Sequence, residues 1–312
     1  MKIIAIETSC DETSIAFLEG KKIIDCLTWT QIPIFKYFGG VIPQISSQLH
    51  SMKLPLLLEK IINKNKINWN EIKLIAYTKK PGLIGCLKIG EALAKSIALY
   101  QNIPIMPIDH LHGHIYAGQI ENEIIFPALG LVVSGGHTQI IYLANNYQFK
   151  VIGTTLDDAI GEAIDKIGRK LKLNYPAGPE IEKMAINGKK TYNFSIYNDS
   201  NNYNFSFSGL KTHAINTIKK KGLENINKND FAFSLQNDIF TNLKKKLKLA
   251  LKEYKVENIV VGGGVATNDL LKKIIKSLPV KVIIPSKKYC TDNAAMIGVA
   301  AFYQSKKLKI IN

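Results

Sequence analysis

At 312 residues, with 46% hydrophobic and 21% charged side chains, the chain is long enough for two cored domains and is neither disordered nor fibrous. No apolar run approaches the roughly 18 residues of a membrane span, and acid appears by Glu7, so a cytoplasmic protein without a membrane partner is expected. The formal net charge of +16 invites a polyanionic partner; yet Arg169 is the sole arginine among abundant Lys, Ile and Asn, a composition that an AT-rich coding sequence reaches by drift.

The opening "KIIAIETSCDETSIAFLEG" reads as an apolar strand, a turn of small and acidic residues, and a second apolar strand. A helix is expected at about 45–62, a strand over "IKLIAYT" ending near Thr78, the loop "KKPGLIGC", and a helix from about Leu87 to Tyr100. "NIPIMPID" carries Pro104 and Pro107 and reads as a short strand ending near Asp109. "FPALGLVVSGGHTQIIYLAN" repeats the layout of strand, small polar turn, strand, which suggests a duplicated unit. "TTLDDAIGEAIDKIGRKLKL" reads as a helix with an apolar stripe of Ile160, Ile164, Ile167 and Leu171. Pro176 and Pro179 break it, and another helix starts after Gly178. "FSFSGLKTHAI" is a loop entering a helix, and "ENIVVGGGVATNDLLKKII" is a strand, a glycine turn and a helix whose amides suit a phosphate or nucleotide. That turn matches neither the Rossmann nor the P-loop spacing. "YCTDNAAMIGVAAF" puts Asp292 and Asn293 at a helix mouth, as caps or as ligands. Cys10, Cys26, Cys86 and Cys290 form no Cys-x-x-Cys pair, so reduced, mostly buried thiols are expected.

Three of the six histidines, His110, His112 and His114, crowd into "IDHLHGHIYA". An extended strand aligns all three, whereas a helix, at about 100° per residue, aligns only His110 with His114. A helix opening after Asp109 favours the latter pair with His112 pointing elsewhere, and two imidazoles need a third metal ligand from another part of the chain.

Collinear segments "IETSCDET", "GGVIPQISSQLH", "PGLIGCLKIG", "HLHGH", "LVVSGGHTQ", "DDAIGEAIDK", "YPAGPEIEKMA", "FSFSGLKT", "GGGVATN" and "CTDNAAMI" closely resemble the tRNA adenosine threonylcarbamoyltransferase family, TsaD or Gcp, formerly described as glycoproteases. The resemblance implies an α/β, duplicated two-lobed fold of the actin and sugar-kinase ATPase type, with nucleotide and metal in the interlobe cleft. It implies an N-terminal lobe over 1–108 with a C-terminal helix 290–312 packing back on it, and a second lobe over 109–289 with a helical insertion at about 155–222. The activity implied is transfer of threonylcarbamoyl from threonylcarbamoyl-AMP to the exocyclic amine of the adenosine 3′ of the anticodon. His110, His114 and Asp292 match the family's metal ligands, the metal being iron or zinc. Val132, Val133, Ser134, Gly135, Gly136, Asp165, Gly178, Glu182 and Asn268 match its substrate-binding positions, for threonylcarbamoyl-AMP or ATP. Asp11, at the first hairpin tip, is expected at phosphate or at a metal-linked water, and His137 is a weaker candidate proton acceptor. Implied partners are tRNA, a dimerising paralogue of the same fold, a small P-loop-type ATPase and a threonylcarbamoyl-AMP synthase.

Four positions depart from the family: Gln44 and Gln48 stand for a Glu and an Arg, Lys80 for a Gly, and Ala177 for a Gly. The chain also stops soon after its last expected helix, without the family's customary C-terminal extension. Loss of one acid and one base together reads as a paired loss, while Lys80 and the short end bear on partner docking or stability. The competing readings are a metallopeptidase, against which His-x-x-x-His lacks the intervening Glu that activates water, and a non-catalytic ATP-binding scaffold or small-molecule kinase.

Overall fold

The computed structural model describes residues 1–197, 199 and 201–308, with side chains in the last helix as far as Lys306. The first apolar segment forms β1 (Lys2–Glu7), and the chain reverses into β2 (Glu12–Glu19) and β3 (Lys22–Thr30). Helices α1 (Ile32–Phe35) and α2 (Pro43–Asn65) follow, then β4 (Ile72–Lys80), α3 (Ile84–Gln101), β5 (Ile105–Asp109), α4 (His110–Tyr116) and α5 (Gly118–Glu121).

The second half opens with β6 (Ala128–Val133), β7 (Thr138–Asn145) and β8 (Gln148–Thr154). Helices α6 (Ile160–Lys170), α7 (Gly178–Ala185), α8 (Ser208–Lys221) and α9 (Lys228–Glu253) precede β9 (Asn258–Gly262), α10 (Asp269–Lys276) and β10 (Lys281–Ile283). The chain finishes in α11 (Lys287–Cys290) and α12 (Ala294–Leu308). The part of the expected C-terminal helix at 309–312 lies outside the described residues.

Two sheets of five strands result, ordered β3-β2-β1-β4-β5 and β10-β9-β6-β7-β8. They share one plan. In each, the hairpin strands pair antiparallel, as Ala5 with Ala16 and Gly130 with Ile141, and the first hairpin strand also pairs parallel with a later strand, as Ala5 with Ala76 and Gly130 with Val260. Central β1 and β6 are flanked on both sides and covered on both faces, which is why they are continuous apolar runs rather than alternating ones. The edge strand β3 alternates toward solvent.

The chain divides into two compact units, Met1–Glu123 joined by the segment from Pro285 on, and Ile124–Ile284. These borders differ from the expected 108/109 and 289/290: α4 packs on α12 and β5, so the histidine segment lies in the first unit. In that unit Ile4, Ile6, Ile15 and Phe17 meet Leu54 and Ile61 of α2 and Ala94 and Ile97 of α3. Each fully buried aliphatic side chain there contributes about 1.5–3 kcal/mol. In the second unit the stripe Ile160, Ile164, Ile167 and Leu171 is buried, as its spacing predicts. The expected helix from Thr154 is shorter at its start, because Thr154 still pairs with Gln139 and Asp158 is drawn off by Lys166 and Lys211, at 2.6 and 2.5 Å. Among the described residues no helix is long and apolar enough to cross a membrane.

Candidate metal centre and nucleotide-binding turns

Asp109 ends β5 and caps α4, its Oδ1 accepting from the amides of Leu111 (3.0 Å) and His112 (3.4 Å). The helix therefore starts at His110, and one turn later His114 falls on the same face, the two rings edge to face with centroids 4.7 Å apart. His112 points away from this pair's face, as helical geometry requires.

Asp292 arrives from the far end of the chain. Asn293 caps α12 by accepting from Met296 N (3.0 Å), and Ala294 N donates to Ser14 Oγ of β2 (2.9 Å), so the helix mouth is pinned to the first hairpin. Asp292 Oδ1 then lies 3.1 Å from His114 Nε2 and 3.5 Å from His110 Nε2. One ligand atom from each of the three residues falls within 4.8 Å of the others. Close approach of α4 to α12 depends on Gly113, where a Cβ would lie 2.9 Å from Ile297 Cδ1 and 3.3 Å from Met296 Cγ.

The donor set fits a divalent transition metal. Both ring nitrogens of His114 are buried with no hydrogen-bond partner: Nε2 is near Asp292 in distance without hydrogen-bond geometry. A buried imidazole left this way costs free energy, which a metal ion offsets. Two imidazoles and a carboxylate suit iron or zinc, and three protein ligands leave coordination positions open.

Burial disfavours a charged His110, but Asp292 and Glu7 outweigh it and hold its pKa up at about 9. Glu7 is fully buried, yet its His110 contact keeps the carboxyl below the usual range. Asp11, at the hairpin tip, is not among the three clustered ligands; burial, reinforced by the charge of Asp292, raises its carboxyl above the usual range. Sequence reasoning missed Glu7, Ser14 and Thr78. The signal for Glu7 was an acid closing an otherwise apolar strand, "KIIAIE".

The remaining candidates lie in the second unit. Val132 and Val133 are buried at the end of β6, paired with Gly262 and Thr138. In the turn that follows, Ser134 N donates to His137 O (2.9 Å) and Ser134 Oγ accepts from His137 N (3.1 Å), so His137's backbone closes the turn. The carbonyls of Ser134 and Gly135 accept from Gly161 and Glu162, both at 3.2 Å, joining the turn to the start of α6. Asp165 of α6 accepts from Ala177 N (2.7 Å), beside Gly178. Glu182 of α7 accepts from Asp269 N (2.7 Å), beside Asn268, whose own side chain caps α10 through Leu271 N (3.1 Å). Gly263 completes the circuit against Val133. Every substrate-binding candidate thus belongs to one ring of linked turns, and a Cβ at Gly135, Gly136, Gly178 or Gly264 would meet nothing within 4 Å.

The departures are accommodated. Gln44 and Gln48 lie one turn apart on α2 and are exposed, at an (i, i+4) spacing where an acid and a base would contribute only about 0.2–0.5 kcal/mol as a pair. Ala177 is buried against Gly168, where a Cβ would come within 2.2 Å of Ala177 Cβ. Lys80 is exposed at the end of β4.

A HypF from T. kodakarensis superposes with a TM-score of 0.70 at 13% identity, covering 99% of this chain and 48% of that one. The activator of the 2-hydroxyisocaproyl-CoA dehydratase from Clostridium difficile, solved with bound ADPNP, gives 0.59 at 16% identity and covers 100% and 98%. The architecture is that of the actin-like ATPases, two units each built on the same five-stranded plan. Within that class, the profile of the tRNA N6-adenosine threonylcarbamoyltransferases, TsaD, matches residues 22–299. Proteins of that name from Phytoplasma australiense and Mycoplasma capricolum are 46% and 45% identical, covering 97% of this chain and 94% and 97% of theirs. The chain belongs to the tRNA N6-adenosine threonylcarbamoyltransferase family.

Proposed function

We propose that this chain transfers the threonylcarbamoyl group of threonylcarbamoyl-AMP to the exocyclic amine of the adenosine just 3′ of the anticodon, in tRNAs reading codons that begin with A. Family membership over nearly the whole length supports the reaction class. The observation that carries the site assignment is the convergence of His110, His114 and Asp292. In this reading those residues hold one divalent metal, iron or zinc, which supplies Lewis-acid polarisation of the donor's carbamoyl or carboxylate oxygens.

The chain's other residues bind and orient. Within the segment Val132–Gly136, Gly135 and Gly136 present their main-chain amides to the donor's anionic groups, with no side chain to hold the ligand off. Asp165 and Glu182 are assigned to the ribose, each anchored by a backbone amide that fixes its orientation. Gly178 admits the nucleotide closely, and Asn268 is assigned to the adenosine side. Asp11 is assigned to the donor's phosphate or to a metal-linked water, at the tip of the first hairpin. Amine attack on an acyl-adenylate-like donor calls for charge stabilisation, orientation and a proton acceptor rather than a protein nucleophile.

The same reading brings in tRNA, a dimerising paralogue of the same fold, a small P-loop-type ATPase and a synthase for the donor, all in the cytoplasm. Neither rival gains support: the His-x-x-x-His segment lacks a peptidase's water-activating Glu, and no relative named above is called a kinase or a scaffold. The test is to incubate the purified protein with unmodified tRNA and enzymatically made threonylcarbamoyl-AMP, with and without partner proteins, and to analyse the digested nucleosides by mass spectrometry. Threonylcarbamoyl-adenosine is expected, and its loss in His110→Ala and Asp292→Ala. No product from folded, metal-loaded protein with every partner present overturns the proposal.

A further inference from the structure

Glu7 is the acidic residue of strand β1, fully buried and four residues before Asp11 at the hairpin tip. Its carboxylate is saturated with donors. Oε1 accepts from Ser9 N at 2.5 Å, while Oε2 accepts from Thr78 Oγ1 at 2.5 Å and meets His110 Nδ1 at 3.0 Å. On the opposite side of the same ring, Nε2 lies 3.5 Å from Asp292 Oδ1. An imidazole can present a lone pair to a metal at one nitrogen only while the other carries the proton, and the partner of that other nitrogen decides which is which.

We propose that Glu7 is the positioning residue of the metal centre: it accepts the Nδ1 proton of His110, so that Nε2 is the nitrogen offered to a divalent cation, and it fixes the plane of the ring. This rests on the assignment of His110, His114 and Asp292 as ligands. Thr78 and Ser9 hold the carboxylate in place from β4 and from the hairpin turn, so the orientation of His110 is set by three separate segments of the first unit. Glutamine cannot substitute. With its carbonyl toward Ser9 N, its amide faces His110 and Thr78, and His110 must accept at Nδ1 and move its proton to Nε2. With the amide reversed, two N–H groups oppose each other at Ser9.

The experiment titrates metal-stripped protein with Co2+ and Zn2+, following Co2+ by its visible absorption and Zn2+ by calorimetry, for the native chain, Glu7→Gln and His114→Ala. Native protein is expected to bind one ion per chain and His114→Ala to lose it; equal binding by both overturns the ligand assignment itself. With that assignment standing, Glu7→Gln is expected to weaken binding by about 10- to 100-fold, measured at a temperature where circular dichroism shows the metal-free variant folded. Undiminished affinity in Glu7→Gln overturns the proposal. Should Glu7→Gln fail to fold, nitrogen-15 histidine spectra of the zinc-loaded native protein decide. His110, assigned by its absence in His110→Ala, is expected to show a protonated Nδ1 and a metal-bound Nε2, and the reverse pattern sinks the proposal.

Discussion

At the scale of single residues, the titration of His110 governs how the centre responds to pH. Its pKa in the folded, metal-free chain is about 9, against 6.5 for the ordinary side chain. A raised histidine contributes stability that is fully present below pH 6.5 and lost as pH rises through about 9. The unfolding midpoint of metal-free protein is therefore expected to fall over that window, and His110→Ala should flatten this part of the profile. Metal uptake has the converse dependence, because the cation must displace the proton. At pH 7.5 binding of one Zn2+ should release about one proton, measurable in buffers of different ionisation enthalpy. Binding that releases none would mean that His110 is neutral before the metal arrives. The pairing of His110 with His114 is legible from local periodicity, because "PID" ends a strand and a helix opens after it. Glu7 and Ser14 are not, since each matters through a partner distant in sequence, His110 in one case and the mouth of α12 in the other.

At the scale of elements, the second unit turns on how closely two strand ends approach. Gly263 follows β9 with φ of +96°, and a Cβ there would stand 2.2 Å from Val133 O. That clash is with backbone and cannot be relieved by a rotamer change. Gly263→Ala is expected to cost about 1–3 kcal/mol or more, read as a lowered thermal midpoint, and to displace the Val132–Gly136 turn. Gly264→Ala is the contrast, because its Cβ would meet nothing within 4 Å. Stability should change by less than about 0.5 kcal/mol, whereas a donor bound against these turns would lose affinity, raising KM with the fold intact. Equal effects of the two substitutions on stability would show that crowding at Val133 is not what reserves position 263 for glycine. The glycine-rich segment was legible as a strand, turn and helix, but which glycine is pressed against another strand was not, because the spacing of glycines carries no record of what packs on them.

At the scale of the whole molecule, the net charge of +16 separates two explanations that composition leaves open. Contact with the tRNA backbone releases counterions, so affinity should fall as salt rises; three phosphate contacts give a loss of about 20- to 40-fold between roughly 50 and 200 mM salt. Affinity indifferent to salt would side with compositional drift as the source of the lysines. The sequence by itself determined the α/β character, the repeated hairpin plan, the apolar stripe of α6 and the family, because strand alternation, helical periodicity and ordered motifs are properties of short stretches. It also determined that His110 and His114 share a helical face. Only the tertiary structure decided that Asp292 meets them, that Glu7 stands behind His110, that the histidine segment belongs to the first unit, and that Asp165 and Glu182 are tied to backbone amides in one ring of turns. These depend on parallel strand pairing and on α12 packing across β1 and β2, contacts between residues far apart in the chain that no local pattern encodes.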